Sequence, residues 1–304
     1  MTAEIDFAEL TKEKCKFKVV STRHLADLQR EIENLIEQGQ LDSEFVQQHL
    51  SQFKFTPPEE LKNAESIIVV AMPRPPTKAI FNWNGEKQAL ILPPTYTAYD
   101  EKRLLVEHAV AKAVEKGGYK IATPNLPLKL LSVCSGLAAY GRNNIAYVGE
   151  MGSFMRLTAV YSNMPCEMDN WHEPEMMKAC VNCNLCQNAC PTGAISKNRF
   201  LLYAEKCLTY HNEKDGKIPF PKWIKPQWHN CIVGCIRCQA ACPENKPYLG
   251  RFGETAEFDE QETKFLLKGI PREQIPALTM QKLQLLSLTD YLGEMPRNLS
   301  PLLK

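Results

Sequence analysis

The sequence predicts an α+β fold, in which a mixed sheet with its helices is followed by a smaller cysteine-rich domain. Two observations support this prediction. Short β-branched runs and helical stretches are mixed over the first 170 residues without strict alternation. Nine of the twelve cysteines then lie between Cys180 and Cys242. We therefore expect an α+β domain at 1–170, a cysteine-rich domain at 171–250 and a helical tail at 251–304.

The chain before residue 93 predicts a helical beginning and then strands. The run SIIVVAM at 66–72 is rich in β-branched residues, which is typical of a buried strand. Residues 78–92 predict a hairpin, because Asn84-Gly85 suits the left-handed backbone of a tight turn. The elements expected before these two are an N-terminal helix, a strand at 16–20, and helices at 23–37 and 43–52.

A longer helix is predicted from about Asp100 to Lys116, where Gly117-Gly118 stops it. Its predicted inward face consists of Leu104, Leu105, Ala109 and Val110. The elements expected after it are a strand at 119–122, a helix beginning near Pro127, and strands at 144–148 and 154–161.

Eight cysteines fall into a duplicated motif. The first copy is CVNCNLCQNACP and the second is CIRCQAACP, with Cys207 between them. A run of C-x2-C-x2-C-x3-C-P places three thiolates around one 4Fe–4S cluster, and its fourth cysteine serves the other cluster of a pair. Zinc sites and a disulfide framework suit this spacing less well. The sequence thus predicts two clusters and transfer of single electrons.

The swap of the fourth cysteine predicts the ligands. Cluster one takes Cys180, Cys183, Cys186 and Cys242. Cluster two takes Cys190, Cys235 and Cys238. Its fourth ligand is open, because the position three residues before Cys235 is Ile232, and either Cys207 or Cys231 could complete the set.

Composition gives little further information about function. The net charge of +1 provides no general attraction to nucleic acid. No apolar run approaches the roughly 20 residues that a membrane-spanning helix needs, so no membrane partner is expected. The N-terminal residues resemble no signal peptide, and reduced thiols suit the cytoplasm, which is the expected location.

The motifs together resemble epoxyqueuosine reductase. The segments that carry the resemblance are SGLAAYGRNNIAYVGEMGSF, CVNCNLCQNACPTGAI, CLTYHNE and VGCIRCQAACPENK, within residues 60–250. Members of this family reduce an epoxide on a modified tRNA base with base-off cobalamin and two 4Fe–4S clusters. The resemblance implies that Cys207 completes cluster two and that Cys231 is a spare thiol. It also implies cobalamin contacts at Ala146, Leu157 and Thr209, although Ala146 and Leu157 would equally suit an ordinary strand core.

The chain departs from the family where substrate would bind. The aspartate that serves as the family's proposed acid corresponds to Ala122 here, which has no proton to give. The family's G-L-G-W-x-G reads Gly-Leu-Ala-Ala-Tyr-Gly at 136–141, and the helical-repeat extension of longer members is not found. Tyr96 and Asp100 are the candidate catalytic residues in its place, with Tyr99 beside them. Thr97 and Asp100 would alternatively cap the helix that follows.

These observations predict a cobalamin-dependent iron–sulfur oxidoreductase. A donor of the ferredoxin or flavodoxin type would reduce the clusters, and a base-off corrinoid would reduce a bound substrate other than epoxyqueuosine. Two alternatives remain open: an activation protein for a partner corrinoid protein, and epoxyqueuosine reduction with a relocated acid. A small molecule or a corrinoid protein is thus the expected partner, and tRNA is the less favoured alternative.

Overall fold

Strands and helices are mixed along the chain in the computed structural model, which describes residues 6–303. The strands are β1 (Lys16–Ser21), β2 (Ser66–Pro73), β3 (Thr77–Trp83), β4 (Glu86–Leu92), β5 (Ile121–Ala122), β6 (Ala139–Tyr140), β7 (Ala146–Tyr147), β8 (Met155–Ser162) and β9 (Thr255–Phe258). The α-helices are α1 (Ala8–Lys12), α2 (Leu25–Glu37), α3 (Ser43–Phe45), α4 (Tyr99–Glu115), α5 (Leu128–Cys134), α6 (Leu185–Ala189), α7 (Leu208–Asn212), α8 (Arg237–Ala240), α9 (Glu260–Lys268), α10 (Ala277–Leu285) and α11 (Met295–Leu299). This mixture confirms the predicted α+β class.

The chain divides into two units, each made of two separate segments. The first unit comprises the chain up to Pro73 and Asp100–Cys183, and the second comprises Arg74–Tyr99 and the chain from Asn184. The domain boundaries predicted at 170 and 250 assume consecutive segments, whereas the hairpin of β3 and β4 belongs to the second unit. The assignment of functions to those segments stays a prediction.

The sheet of the first unit is antiparallel, with strand order β1-β2-β8-β5. Along β2, Ile67, Val69 and Ala71 face one hydrophobic core, while Ile68 and Val70 face another. This alternation is the two-residue period of a strand. Since both faces of β2 are covered, the run SIIVVAM can be apolar throughout, as predicted.

The sheet of the second unit has the order β4-β3-β9. β3 and β4 form the predicted hairpin, and Asn84 and Gly85 take φ values of 52° and 78° at its turn. β9 then joins β3 in parallel, and the rings of Phe81 and Phe258 stack with centroids 4.9 Å apart. The segment 251–304 therefore contributes a strand as well as helices, which its leucine-rich pattern did not predict.

Helix α4 differs from its prediction on the face that it buries. Leu104 is 53% exposed, and Val106 is buried in its place together with Ala109 and Val110. Three apolar residues in succession, 104–106, leave the orientation of the helix ambiguous in the sequence. Thr97 is not its cap, because the helix begins at Tyr99 and the Thr97 hydroxyl accepts a hydrogen bond from Arg74 Nε (3.2 Å).

Other predicted elements are shorter or interrupted. The helix expected at 43–52 consists of α3 followed by a π-helical turn, Val46–Leu50. The strands expected at 119–122 and 144–148 are reduced to the two-residue strands β5 and β7. Among the described residues, no helix is both long and apolar enough to cross a membrane.

Candidate iron–sulfur site

Four cysteines of the second unit lie close together. They are Cys190, Cys207, Cys235 and Cys238. Burial, and then the neighbouring thiolates of the other three and of Cys186, raise the pKa of Cys238 well above its usual value. Burial raises the pKa of Cys207 to about 11, and charges at Cys235 and Cys190 add to the shift. Several buried thiols in one place suit a metal centre, because a bound cation stabilises their thiolates.

Short helices of the second unit position these cysteines. Cys190 ends α6, Cys207 precedes α7, and Cys238 lies in α8, which packs against α6. Both α6 and α8 carry the sequence Cys-Gln-x-Ala-Cys-Pro, so the duplicated motif forms a duplicated helical turn. The side-chain amide of Gln187 on α6 is buried without a hydrogen-bond partner. An unpartnered buried amide next to cluster ligands is consistent with a group that occupies this position.

Polar groups are directed at the sulfur atoms. The Thr209 backbone N–H and hydroxyl donate to Cys207, and the Asn230 side-chain amide donates to Cys235 Sγ (3.1 Å). The Thr192 hydroxyl lies 3.4 Å from Cys190 Sγ. Such hydrogen bonds are a main means by which proteins set the potential of an iron–sulfur cluster. The chemistry of this donor set therefore suits a 4Fe–4S group, to which it would supply four thiolates, although residues 6–303 contain no three His, Cys, Asp or Glu side chains arranged to hold a single metal ion.

Cys231 has a different environment from Cys207. It is fully buried, and its thiol donates to Asn230 Oδ1 (3.2 Å). Cys207 is among the thiolates that raise the pKa of Cys238. Of the two cysteines left open by spacing, Cys207 neighbours Cys190, Cys235 and Cys238, whereas Cys231 neighbours Cys235.

Helix α11 stabilises the segment that follows Cys207. The Arg297 guanidinium and the Asn298 amide donate to a series of main-chain carbonyls, and the guanidinium also lies over the Phe220 ring, 4.6 Å from its centroid. The carbonyls bound by Arg297 belong to His211, Asn212, Lys214, Asp215 and Ile218, at 2.7–3.2 Å. Asn298 donates to Asn212 O and Ile232 O (2.9 and 2.8 Å). Sequence spacing gave no sign of either residue.

In the first unit, Arg142 contacts the first cysteine of the motif. It lies in the turn between β6 and β7, and its backbone N–H donates to Cys180 Sγ (3.4 Å). Its guanidinium donates to Cys180 O (2.7 Å) and Val181 O (3.1 Å). Cys183 ends this unit, so the boundary between the units falls inside the first cysteine motif.

The residues predicted to contact cobalamin have other neighbours. Ala146 on β7 is 1% exposed in the core of the first unit, and Leu157 on β8 packs against the same core. Thr209 is bonded to Cys207. A side chain at Gly141 would come within 2.6 Å of Asn143 Oδ1 and Tyr147 Cε2, so close packing accounts for that glycine. The contacts to a corrin remain predictions.

The two predicted catalytic residues lie in contrasting environments. The Tyr96 hydroxyl donates to Glu213, and its ring lies against Gly234, where a Cβ atom would clash with it. Burial, and then the Glu213 charge, raise the pKa of Tyr96, and Cys207 contributes to the same shift. Burial also raises the pKa of Glu213. Asp100, by contrast, is exposed and lies 3.3 Å from the Arg103 guanidinium.

A carboxylate lies near the position that lacks the aspartate. Ala122 ends β5 and is buried, and the next residue, Thr123, donates to Glu107 Oε1 (3.0 Å). Arg103 Nη1 donates to both Glu107 oxygens (2.8 and 2.9 Å). The sequence gave no indication of Glu107, because it lies on α4, 15 residues before Ala122.

Cys134 lines a cavity of about 450 Å³ in the first unit, next to Trp171 and His172. Burial, and then the acidic residues around it, raise the pKa of Cys134 to about 12. A thiol that stays protonated at neutral pH is a poor nucleophile, which agrees with a structural role.

Comparisons with known proteins agree with this site. Residues 179–245 match a family model described as a 4Fe-4S double cluster binding domain. The epoxyqueuosine reductase of Gloeobacter violaceus is 28% identical over 165 residues, which cover 54% of this chain and 47% of that protein. The Bacillus anthracis enzyme is 26% identical over 224 residues, 70% of this chain and 57% of that protein. The chain thus spans about half the length of these curated relatives.

Solved structures show the same fold. Epoxyqueuosine reductase from Streptococcus thermophilus has a TM-score of 0.69 at 17% identity, covering 99% of this chain and 82% of that one. The Bacillus subtilis enzyme has a TM-score of 0.70 at 20% identity, covering 97% and 79%. The chain is similar to epoxyqueuosine reductases in sequence, and it shares their fold. This confirms the resemblance, while at such identities the solved structures show the fold alone.

Proposed function

We propose that this epoxyqueuosine reductase-like chain is an oxidoreductase that passes single electrons through two 4Fe–4S clusters to a bound acceptor. The observation that carries the proposal is the convergence of Cys190, Cys207, Cys235 and Cys238, with hydrogen-bond donors at three of their sulfur atoms. We assign these four to cluster two. For cluster one we retain the ligands that the motif predicts, namely Cys180, Cys183, Cys186 and Cys242.

The electrons require an outside source, and we propose a donor of the ferredoxin or flavodoxin type. Reduced thiolates and low-potential clusters suit a reducing compartment, so the cytoplasm is the proposed location. The chain itself supplies burial and hydrogen bonds that tune the clusters. It also excludes water from the ligands, since Cys180 and Cys186 are buried.

We propose Tyr96 as the proton donor for the reduced substrate. Its raised pKa keeps the hydroxyl protonated at neutral pH, and Glu213 is positioned to return a proton to it. Its neighbour Cys207 is a proposed ligand of cluster two, which favours a proton source at this position. Asp100 is less suited, because it is exposed and ion-paired with Arg103.

Base-off cobalamin is the acceptor that the family resemblance favours. Bound cobalamin supplies low-potential reducing chemistry that clusters alone do not. The side chains of Ala146 and Leu157 are engaged in the core, so they would offer a corrin only their backbone, which is the mode the resemblance implies. No step of the proposal depends on the geometry of this group.

A second candidate is epoxyqueuosine reduction itself. The sequence matches to epoxyqueuosine reductases favour it, and one solved relative is in complex with an epoxyqueuosine-modified tRNA stem loop. Glu107, held by Thr123, lies beside the position that lacks the aspartate, and it is ion-paired with Arg103.

Anaerobic reconstitution tests both candidates. The protein should bind about eight irons as two 4Fe–4S clusters, and bound cobalamin should give a visible spectrum that changes on reduction. Eight irons without cobalamin would instead support an activation protein for a partner's corrinoid. The second candidate predicts that the protein converts an epoxyqueuosine-containing stem loop. Loss of this activity in Glu107→Gln, with retention in Tyr96→Phe, would establish it. Failure to bind iron would overturn the proposed function.

A further inference from the structure

The Asn230 side chain donates a hydrogen bond to Cys235, a proposed ligand of cluster two. It lies between the short helical turn Pro226–Trp228 and the ligand Cys235. Its Nδ2 is 3.1 Å from Cys235 Sγ and 3.2 Å from Trp228 O. Its Oδ1 accepts from the Ile236 backbone N–H (2.9 Å) and from the Cys231 thiol (3.2 Å). Every hydrogen-bonding position of this amide is therefore occupied.

The same contacts fix the orientation of the amide. The Ile236 backbone N–H can only donate, so the atom that faces it must be the carbonyl oxygen. The amide nitrogen then has to face Cys235. A flipped amide would set two donors against each other at Ile236 and two acceptors against each other at Trp228 O. The N–H directed at the sulfur is thus held there by three other partners.

We infer that Asn230 is a positioning residue that raises the reduction potential of cluster two through Cys235. This inference rests on the proposed function, because it takes Cys235 as a cluster ligand. Reduction adds one negative charge to a cluster, and part of that charge resides on the ligand sulfurs. An N–H that donates to one of these sulfurs stabilises the reduced state more than the oxidised state. Loss of the donor lowers the potential.

Cys231 then has a role without being a ligand. Its thiol donates to the oxygen of the amide whose nitrogen serves Cys235, so the spare cysteine helps to hold the donor in place. Its complete burial shields it from oxidants. In the first motif, Cys183 corresponds to Cys235, and the positions of Asn230 and Cys231 are occupied by Lys178 and Ala179.

The test is a spectroelectrochemical titration of the reconstituted full chain and of two variants. Asn230→Leu keeps the approximate volume and removes the donor, while Asn230→Ser shortens the side chain and lets water approach. We expect two one-electron steps in the parent protein. In Asn230→Leu one step should move to lower potential by about 59 mV. This shift corresponds to a roughly tenfold lower ratio of reduced to oxidised cluster at a given applied potential. Asn230→Ser should move the same step by less.

The control is Asn82→Leu, since Asn82 donates to Glu257 and Phe258 in the same unit. It should leave both steps unchanged. Iron content separates the possible failures: a parent protein without about eight irons refutes the proposed function, whereas fully loaded Asn230 variants with unchanged potentials refute the inference alone. Movement of both steps together, or loss of iron from both variants, would show a structural role and would also overturn it.

Discussion

The two copies of the cysteine motif share the spacing C-x2-C-x3-C-P, but the first copy has one more cysteine and the two copies have different supports. In the first copy, Arg142 from a neighbouring turn of the first unit bonds the carbonyls of Cys180 and Val181, and the unit boundary falls after Cys183. The second copy lies wholly in the second unit, where Asn230 bonds Cys235 and Asn298 bonds Ile232 O. The cysteines are therefore duplicated, whereas the residues that support them are not. The following predictions test whether the two copies differ in this way.

The largest effect is expected from the ligand that spacing left open. Cys207→Ala should lower the iron content from about eight to about four atoms per chain, because one cluster of the pair loses a thiolate. Cys231→Ala should retain all of the iron. Iron and sulfide analysis with the visible spectrum measures both. Equal iron in the two variants, or loss only in Cys231→Ala, would contradict the assignment of Cys207.

The next effect concerns the support of the second copy. Arg297→Met removes the donors to five carbonyls while keeping much of the side-chain volume. Charged hydrogen bonds of this kind contribute about 1.5–3 kcal/mol each, so we expect a loss of about 4 kcal/mol, since water can replace several of them. Denaturant unfolding under anaerobic conditions measures the change. Arg272→Met, on a surface turn of the same unit, is the control and should change little.

A pH dependence is expected from His229, which precedes Asn230. Burial, and then the charge of Arg297, lower the pKa of His229 from 6.5 to about 4. Above pH 6.5 both folded and unfolded chains carry the neutral ring, so its full stability is present. As the pH falls towards 4, only the unfolded chain takes up the proton, and stability decreases by about 3 kcal/mol in total.

The variant His229→Phe isolates this contribution. Its ring can still pack near Phe220, whose centroid lies 4.4 Å from that of His229. The difference in unfolding free energy between the parent and this variant should change between pH 7.5 and pH 5, with the parent losing more. A difference that is constant over this range would show that His229 titrates normally.

The smallest effect is expected at the first copy. Arg142→Met removes the guanidinium donors to Cys180 O and Val181 O but keeps the backbone N–H at Cys180 Sγ. We expect a loss of about 2 kcal/mol with full iron content. If Arg142→Met destabilised the protein as much as Arg297→Met, the two copies would not differ in their support.

Local features of the chain were predictable from the sequence. The hairpin followed from Asn84-Gly85, and the buried strand β2 followed from its β-branched run, because both depend on neighbours in sequence. The spacing of the cysteines likewise predicts the 4Fe–4S clusters that they would bind. Helix α4 was placed well, but its buried face was not, since its apolar residues do not form a single stripe.

What sequence reasoning missed depends on contacts between distant residues. Tyr96 and Glu213, which form a hydrogen bond, are 117 residues apart in the sequence. Arg297 is 79 to 86 residues away from the carbonyls that it binds after Cys207. Neither pair has a characteristic spacing. The parallel pairing of β9 with β3 belongs to the same class, and it explains why a chain that reads as consecutive segments forms interleaved units.

That parallel pairing has a consequence for the order of events during synthesis. The β3–β4 hairpin ends at Leu92, yet β3 acquires its second neighbour only when Phe258 has been made, about 165 residues later. At 5–20 residues per second, the ribosome leaves that strand edge open for roughly 10–30 s. Arg297 and Asn298, which hold the carbonyls after Cys207 and before Cys235, emerge later still. Arg142 and Asn230 precede the cysteines that they contact, but the carbonyls after Cys207 remain without their two supports until the chain is almost complete, so iron would enter cluster two in a nearly finished polypeptide.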